Sequence, residues 1–90
     1  MPTTNPVVST VWTKVADASD THFVVTSLRR GNSPDLEYAM TAADVAPSGI
    51  AGQPVSNDEV LTRDVCGEGF LWVRVSSAVA GTEMTLAVTK

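Results

Sequence analysis

Hydrophobic and polar positions alternate along most of this chain, and the most strand-like run is Gly69–Val75. There Phe70, Trp72 and Arg74 fall on one face, and Leu71, Val73 and Val75 on the other. Aromatic and β-branched residues at a period of two, bounded by turn residues, predict a strand. The Leu71/Val73/Val75 face is fully apolar and belongs on a core. The opposite face is aromatic and cationic, and has to be covered or used.

The same period predicts strands over Val7–Ala16, His22–Arg29, Leu36–Thr41, Val60–Val65 and Glu83–Thr89, with Val55 ending a shorter one. In the first, Val7, Val11 and Val15 oppose Val8, Trp12 and Ala16. In the second, Phe23 and Val25 oppose Val24 and Leu28. In the third, Leu36, Tyr38 and Met40 share one side. Leu61, Arg63 and Val65 share a face of the fifth, and Met84, Leu86 and Val88 point inward from the last. Asp17–Thr21 reads as a turn, because Asp and Ser side chains bond their own backbone there. Arg30–Asp35 is a breaker cluster. Cys66-Gly67-Glu68-Gly69 reads as a hairpin turn, its glycines supplying positive φ. Ala42–Pro54 shows little periodicity and is long for a connection, so it is either a packed Ω-type loop or a segment that reaches a partner. Six strands and a possible seventh, separated by short turns, predict an all-β chain. The expected fold is a small antiparallel β-sandwich or partly open barrel, with no competing helical period.

Ninety residues make one domain, expected over residues 7–90 behind an extended N-terminal arm at residues 1–6. Two prolines among the first six residues favour extended backbone and forbid a helix. The arm is a frayed terminus or a segment laid across a neighbouring subunit. A domain this short buries only roughly 60–65% of its unfolded surface. The apolar content, 43%, is that of a globular protein. Six Lys and Arg against ten Asp and Glu leave a net charge of −4. That balance argues against nucleic acid and against an anionic membrane. With Cys66 as the sole cysteine, neither an internal disulfide nor a thiolate metal cluster can form. The fold must hold without a staple, which suits assembly in a reducing cytoplasm. The opening residues lack the charged and apolar regions of a signal peptide, and no apolar run approaches the ~20 residues of a membrane span.

Candidate chemistry is sparse. Catalysis by a nucleophile needs a base and an orienting group. His22 is the sole histidine, and nothing in the sequence places it beside Cys66, which reads as a small apolar filler. Asp17 and Asp20 have no calcium-loop spacing and read as a capped turn, and Asp58-Glu59 is the only other acidic grouping. Gly67-Glu68-Gly69 lacks the helix and lysine of a phosphate loop. Arg29-Arg30 reads as a solvated strand end. No catalytic residue, metal site or cofactor is expected, and the chain is not expected to be an enzyme. Trp12, Trp72 and Arg74 stand out, since Trp and Arg are enriched at interface hot spots and a guanidinium stacks on indole. Core packing is the expected role of Trp12. Trp72 fits core or interface equally.

Several of these pieces together resemble a family. They are Val11-Trp12-Thr13-Lys14-Val15-Ala16-Asp17, Glu37-Tyr38-Ala39 and the Ala/Pro/Gly-rich loop, then Thr62-Arg63, a Gly-x-Gly turn, Leu71-Trp72-Val73-Arg74 and Leu86-Ala87-Val88. In order and spacing, over roughly residues 11–89, they resemble small β-sandwich virion proteins of tailed bacteriophages, which decorate or cement the capsid or form the base of a head fibre. The resemblance implies a structural protein without catalytic residues. It would bind the major capsid protein, copies of itself or both, on the surface of a virion built in the host cytoplasm. The alternative is a tail or fibre component, either an adhesin base or a small binding module. For that module Trp72 and Tyr38 would form a carbohydrate-stacking platform. The parts expected to touch partners are the arm (Pro2, Thr3, Thr4, Asn5, Pro6), the long loop (Val45, Pro47, Ile50) and the Trp72/Arg74 pair.

Overall fold

The structure is a computed structural model that describes residues 3–27, 36–48, 52–55, 60–75 and 83–90. Pro2, Leu28, Arg29-Arg30, Ile50, Asp58-Glu59 and the 77–82 connection lie outside the described residues. Ten elements follow one another: β1 (Thr3–Thr4), β2 (Val7–Val8), β3 (Thr13–Ala16), β4 (Val24–Ser27), β5 (Leu36–Thr41), β6 (Gln53–Val55), β7 (Leu61–Thr62), α1 (Arg63–Cys66), β8 (Phe70–Val75) and β9 (Met84–Thr89). They form two antiparallel sheets, not closed into a barrel: a small all-β fold of sandwich type.

One sheet runs β1/β2–β9–β4–β7, the other β3–β8–β5–β6. Inward residues of both make one core. Val8, Val25, Leu61, Met84, Leu86 and Val88 come from the first sheet, and Val15, Ala16, Leu36, Val55, Leu71, Val73 and Val75 from the second, with Phe23 between. Leu71, Val73 and Leu86 are wholly buried. The Cα envelope is 18 Å in its thin direction, as two layers about 10 Å apart require.

Three expectations are corrected. Val7–Ala16 is extended but does not lie in one sheet. Val7 and Val8 pair with Thr85 and Met84, whereas Thr13–Ala16 pair with β8 in the other sheet. The chain turns the corner at Ser9, whose carbonyl accepts the Val75 N–H at 2.7 Å. Strands that change sheets are how sandwich corners are made. A bulge between Lys14 and Ala16 then buries both Val15 and Ala16.

Val60–Val65 is strand only at Leu61–Thr62. The Thr62 hydroxyl accepts the Val65 N–H and caps a single helical turn, so Val65 is exposed instead of sharing Leu61's face. The 66–69 turn is therefore no hairpin, because β7 and β8 belong to different sheets. Its glycines do have positive φ, +87° at Gly67 and +115° at Gly69. At Gly69 a Cβ would also lie 2.5 Å from Thr41 O.

The N-terminal stretch is not a free arm. Thr3 and Thr4 pair with Thr89 and Val88 of β9, in the same register that Val7 and Val8 continue. Between them Pro6 O accepts the Leu86 N–H at 2.9 Å. Proline has no N–H to return, and the Asn5 side-chain amide donates to Leu86 O at 3.1 Å instead. β1 and β2 are thus one edge strand interrupted at a proline, a position where sheets tolerate it.

Candidate interaction surface

The outer face of the four-stranded sheet is fixed by register. Lys14 lies opposite Trp72 and Trp72 opposite Ala39, while Glu37 lies opposite both Arg74 and Pro54. Thr41 and Phe70 close one end. Burial separates these side chains. Trp72 is only 8% exposed, and its indole N–H donates to Thr41 Oγ1 at 2.8 Å. That hydroxyl satisfies the polar end of a buried ring. Trp72 is thus part of the protein's own packing, with little surface left for a partner. Tyr38 lies opposite Val73 on the inward side and packs at the core margin. It therefore cannot share a stacking platform with Trp72, whose ring is on the other face.

Arg74 is different. Its guanidinium is paired with Glu37, the one buried charged residue among those described, and lies 4.3 Å from the Trp12 ring centroid. Trp12 is half-buried on this outer face rather than in the core. It fits there because position 52 is glycine: a Cβ would lie 2.7 Å from Trp12 Cη2 and 2.8 Å from Tyr38 O. Beside this stack, Lys14 Nζ is 2.8 Å from Asp17 Oδ1 and 2.9 Å from Asp44 Oδ2, and 5.5 Å from the Phe70 centroid. The carboxylates of Asp17 and then Asp44 raise the Lys14 pKa above its ordinary value. The Lys14–Asp44 pair ties the long loop to this sheet. Val45, next in the loop, is 68% exposed, and Val11, next to Trp12, 69%. Pro47 is buried.

The residues expected to touch partners do not converge. Arg74 and Val45 belong to this outer face or its border. Thr3, Thr4, Asn5 and Pro6 lie on the edge of the other sheet.

Arg63 was not among the expected site residues, yet it joins two turns. Its Nε donates to Asp20 O at 3.1 Å, and Nη1 donates to Gly67 O and Gly69 O, both at 2.9 Å. Nη2 donates to Asp17 O at 2.9 Å and also to Asp20 O. All five donors of the guanidinium meet backbone carbonyls, and its Cζ lies 4.7 Å from the Phe23 centroid. The sequence did carry a signal, an arginine in phase with Leu61 and Val65 at apolar positions. Arg63 borders an open cleft of about 570 Å³ with Ala18, Thr21, Ala42, Glu68 and Gly69. With its donors occupied, it offers no N–H to an anion there. His22 is exposed and Cys66 half-buried. Among the described residues, no three His, Cys, Asp or Glu side chains converge as a metal site.

Set beside known proteins, the chain matches no family model, no curated protein and no solved structure.

Proposed function

We propose that the chain is a structural virion protein of a tailed bacteriophage. In this reading it is a capsid decoration or cement protein that binds the major capsid protein and stabilises the head, and it turns over no substrate. Two things support the reading: the residue pattern over 11–89, and a surface able to serve it. The observation that carries it is the Trp12–Arg74 stack, half-buried on the outer face of the four-stranded sheet, with Val11 exposed beside Trp12 in the chain and Val45 exposed in the loop that Asp44 ties to Lys14. Aromatic and arginine anchors within apolar surroundings are the makings of an interface hot spot. Contacts too weak singly to hold a small protein add up when a shell presents many sites, and binding of the folded form stabilises it by mass action.

Mass spectrometry of purified particles from a phage that encodes the chain tests this. Copies in the hundreds are expected. A few to tens per particle would point to a tail or fibre, and absence from the particle ends the proposal. Val45→Asp, placed at an exposed position, should lower occupancy on particles without changing the melting temperature of the isolated protein.

A further inference from the structure

The five-stranded sheet has a feature the other lacks: among the described residues, none of its strands contains a charged side chain. The strand sequences are Thr-Thr, Val-Val, Val-Val-Thr-Ser, Leu-Thr and Met-Thr-Leu-Ala-Val-Thr. The four-stranded sheet has Lys14, Glu37 and Arg74 in its strands. Register places Thr3, Val7, Val24, Thr26, Thr62, Thr85, Ala87 and Thr89 on the outer side of the five-stranded sheet, opposite the core-facing Val8, Val25, Leu61, Met84, Leu86 and Val88. Thr3 and Thr89 confirm the geometry, their hydroxyls 2.8 Å apart on the exposed side. Val7 is 54% and Val24 43% exposed. Solvated sheet faces and exposed edges ordinarily have lysine and glutamate, which keep other chains away. This one has hydroxyls, methyls and two exposed valines.

We infer that this face is a self-association surface, on which a second copy of the chain docks face to face about a two-fold axis. Three points select that occupant. A threonine hydroxyl both donates and accepts, so an array of them is complementary to itself, as an isologous contact demands. The chain has a net charge of −4, and copies approaching through an uncharged face bring no like charges together there. Residues 3–8, Val24–Ser27, Leu61–Thr62 and Met84–Thr89 together give a footprint of roughly 300 Å² per copy. That is well under half of the roughly 800 Å² that a standard stable interface contributes per partner. The association is therefore weak in free solution and becomes persistent only where copies are already held side by side. This inference is separate from capsid binding, which uses the opposite sheet.

Sedimentation equilibrium of the full chain over a concentration series up to millimolar is the test, with Thr26→Lys and Ala87→Lys as variants. These two positions face each other across β4 and β9 near the middle of the patch. Wild type should show a mass that rises toward dimer at high micromolar concentration, unchanged or strengthened by added salt, which screens the net repulsion. Each lysine variant should remain monomeric with its melting temperature within a few degrees of wild type. Should either variant fold poorly, amide shifts of the wild type on dilution serve instead, and should be confined to β2, β4 and β9. A monomer at millimolar concentration would overturn the inference. So would dimers unaffected by both lysines, or dilution shifts that map to Trp12 and Arg74.

Discussion

Arg63 shows how much one side chain can organise. Its guanidinium gathers the carbonyls of two turns distant in sequence, and lysine has neither the planar fork nor the five donors to do so. Arg63→Lys is expected to lower stability by about 2–3 kcal/mol, since half-buried carbonyls lose their partners. Urea unfolding measures it, and a change within error of zero would show that water replaces the fork. Asp20, in the same turn, accepts the Asp17 N–H at 2.8 Å and pairs with Lys90 at 3.1 Å. The backbone N–H first, and then the Lys90 ammonium, hold its carboxyl below its ordinary value of 3.8. A lowered folded-state pKa gives stability that is present above 3.8 and lost as pH falls through the folded value. Asp20→Asn should therefore melt lower than wild type near neutral pH, and the difference should shrink as pH falls below 3.8. A difference that does not vary with pH would reassign the effect to shape. The place of Trp72 could not be read from the sequence, because alternation names a face without saying whether that face is covered. Its burial and its hydrogen bond to the Thr41 hydroxyl decide it.

Among the elements, the edge strand of residues 3–8 rests on a substitution of one donor for another. Leu86 O would receive a backbone N–H in an unbroken ladder, and beside Pro6 it receives the Asn5 side chain. Asn5→Ala should cost about 1 kcal/mol in a wild-type background. It should cost measurably less in a Pro6→Ala background, where the backbone can donate instead. A double-mutant cycle by chemical denaturation reads the coupling, and strict additivity would refute the compensating role of Asn5. Elements with long uninterrupted alternation were legible: β5 matches its expected range, and β8 and β9 theirs to within a residue. The 7–16 stretch was not, because alternation continues through a corner that sends the chain to the other layer. Nor was the edge strand, since two prolines disguise a segment that needs few backbone donors. At 62–66 a threonine cap converts strand into one helical turn, and period-two reasoning has no term for a cap.

For the whole molecule, alternation was enough to give the two-layer architecture, but not which strand lies beside which. Among the described strands, only β5 and β6 make a hairpin between successive full strands, and most connections cross from one layer to the other. Of the residues expected on a partner surface, Arg74 is half-buried on the outer face of the four-stranded sheet and Val45 is exposed in the loop, while Trp72 and Pro47 are buried. Strand β9 stands at the centre of the five-stranded sheet, gripping β1 and β2 on one flank and β4 on the other. A nascent polypeptide emerging from the ribosome consequently holds residues 3–8 in waiting. Thr3 has nowhere to go until Thr89 has been synthesised, so this layer closes only once translation has passed that residue, and not piece by piece as the chain is made.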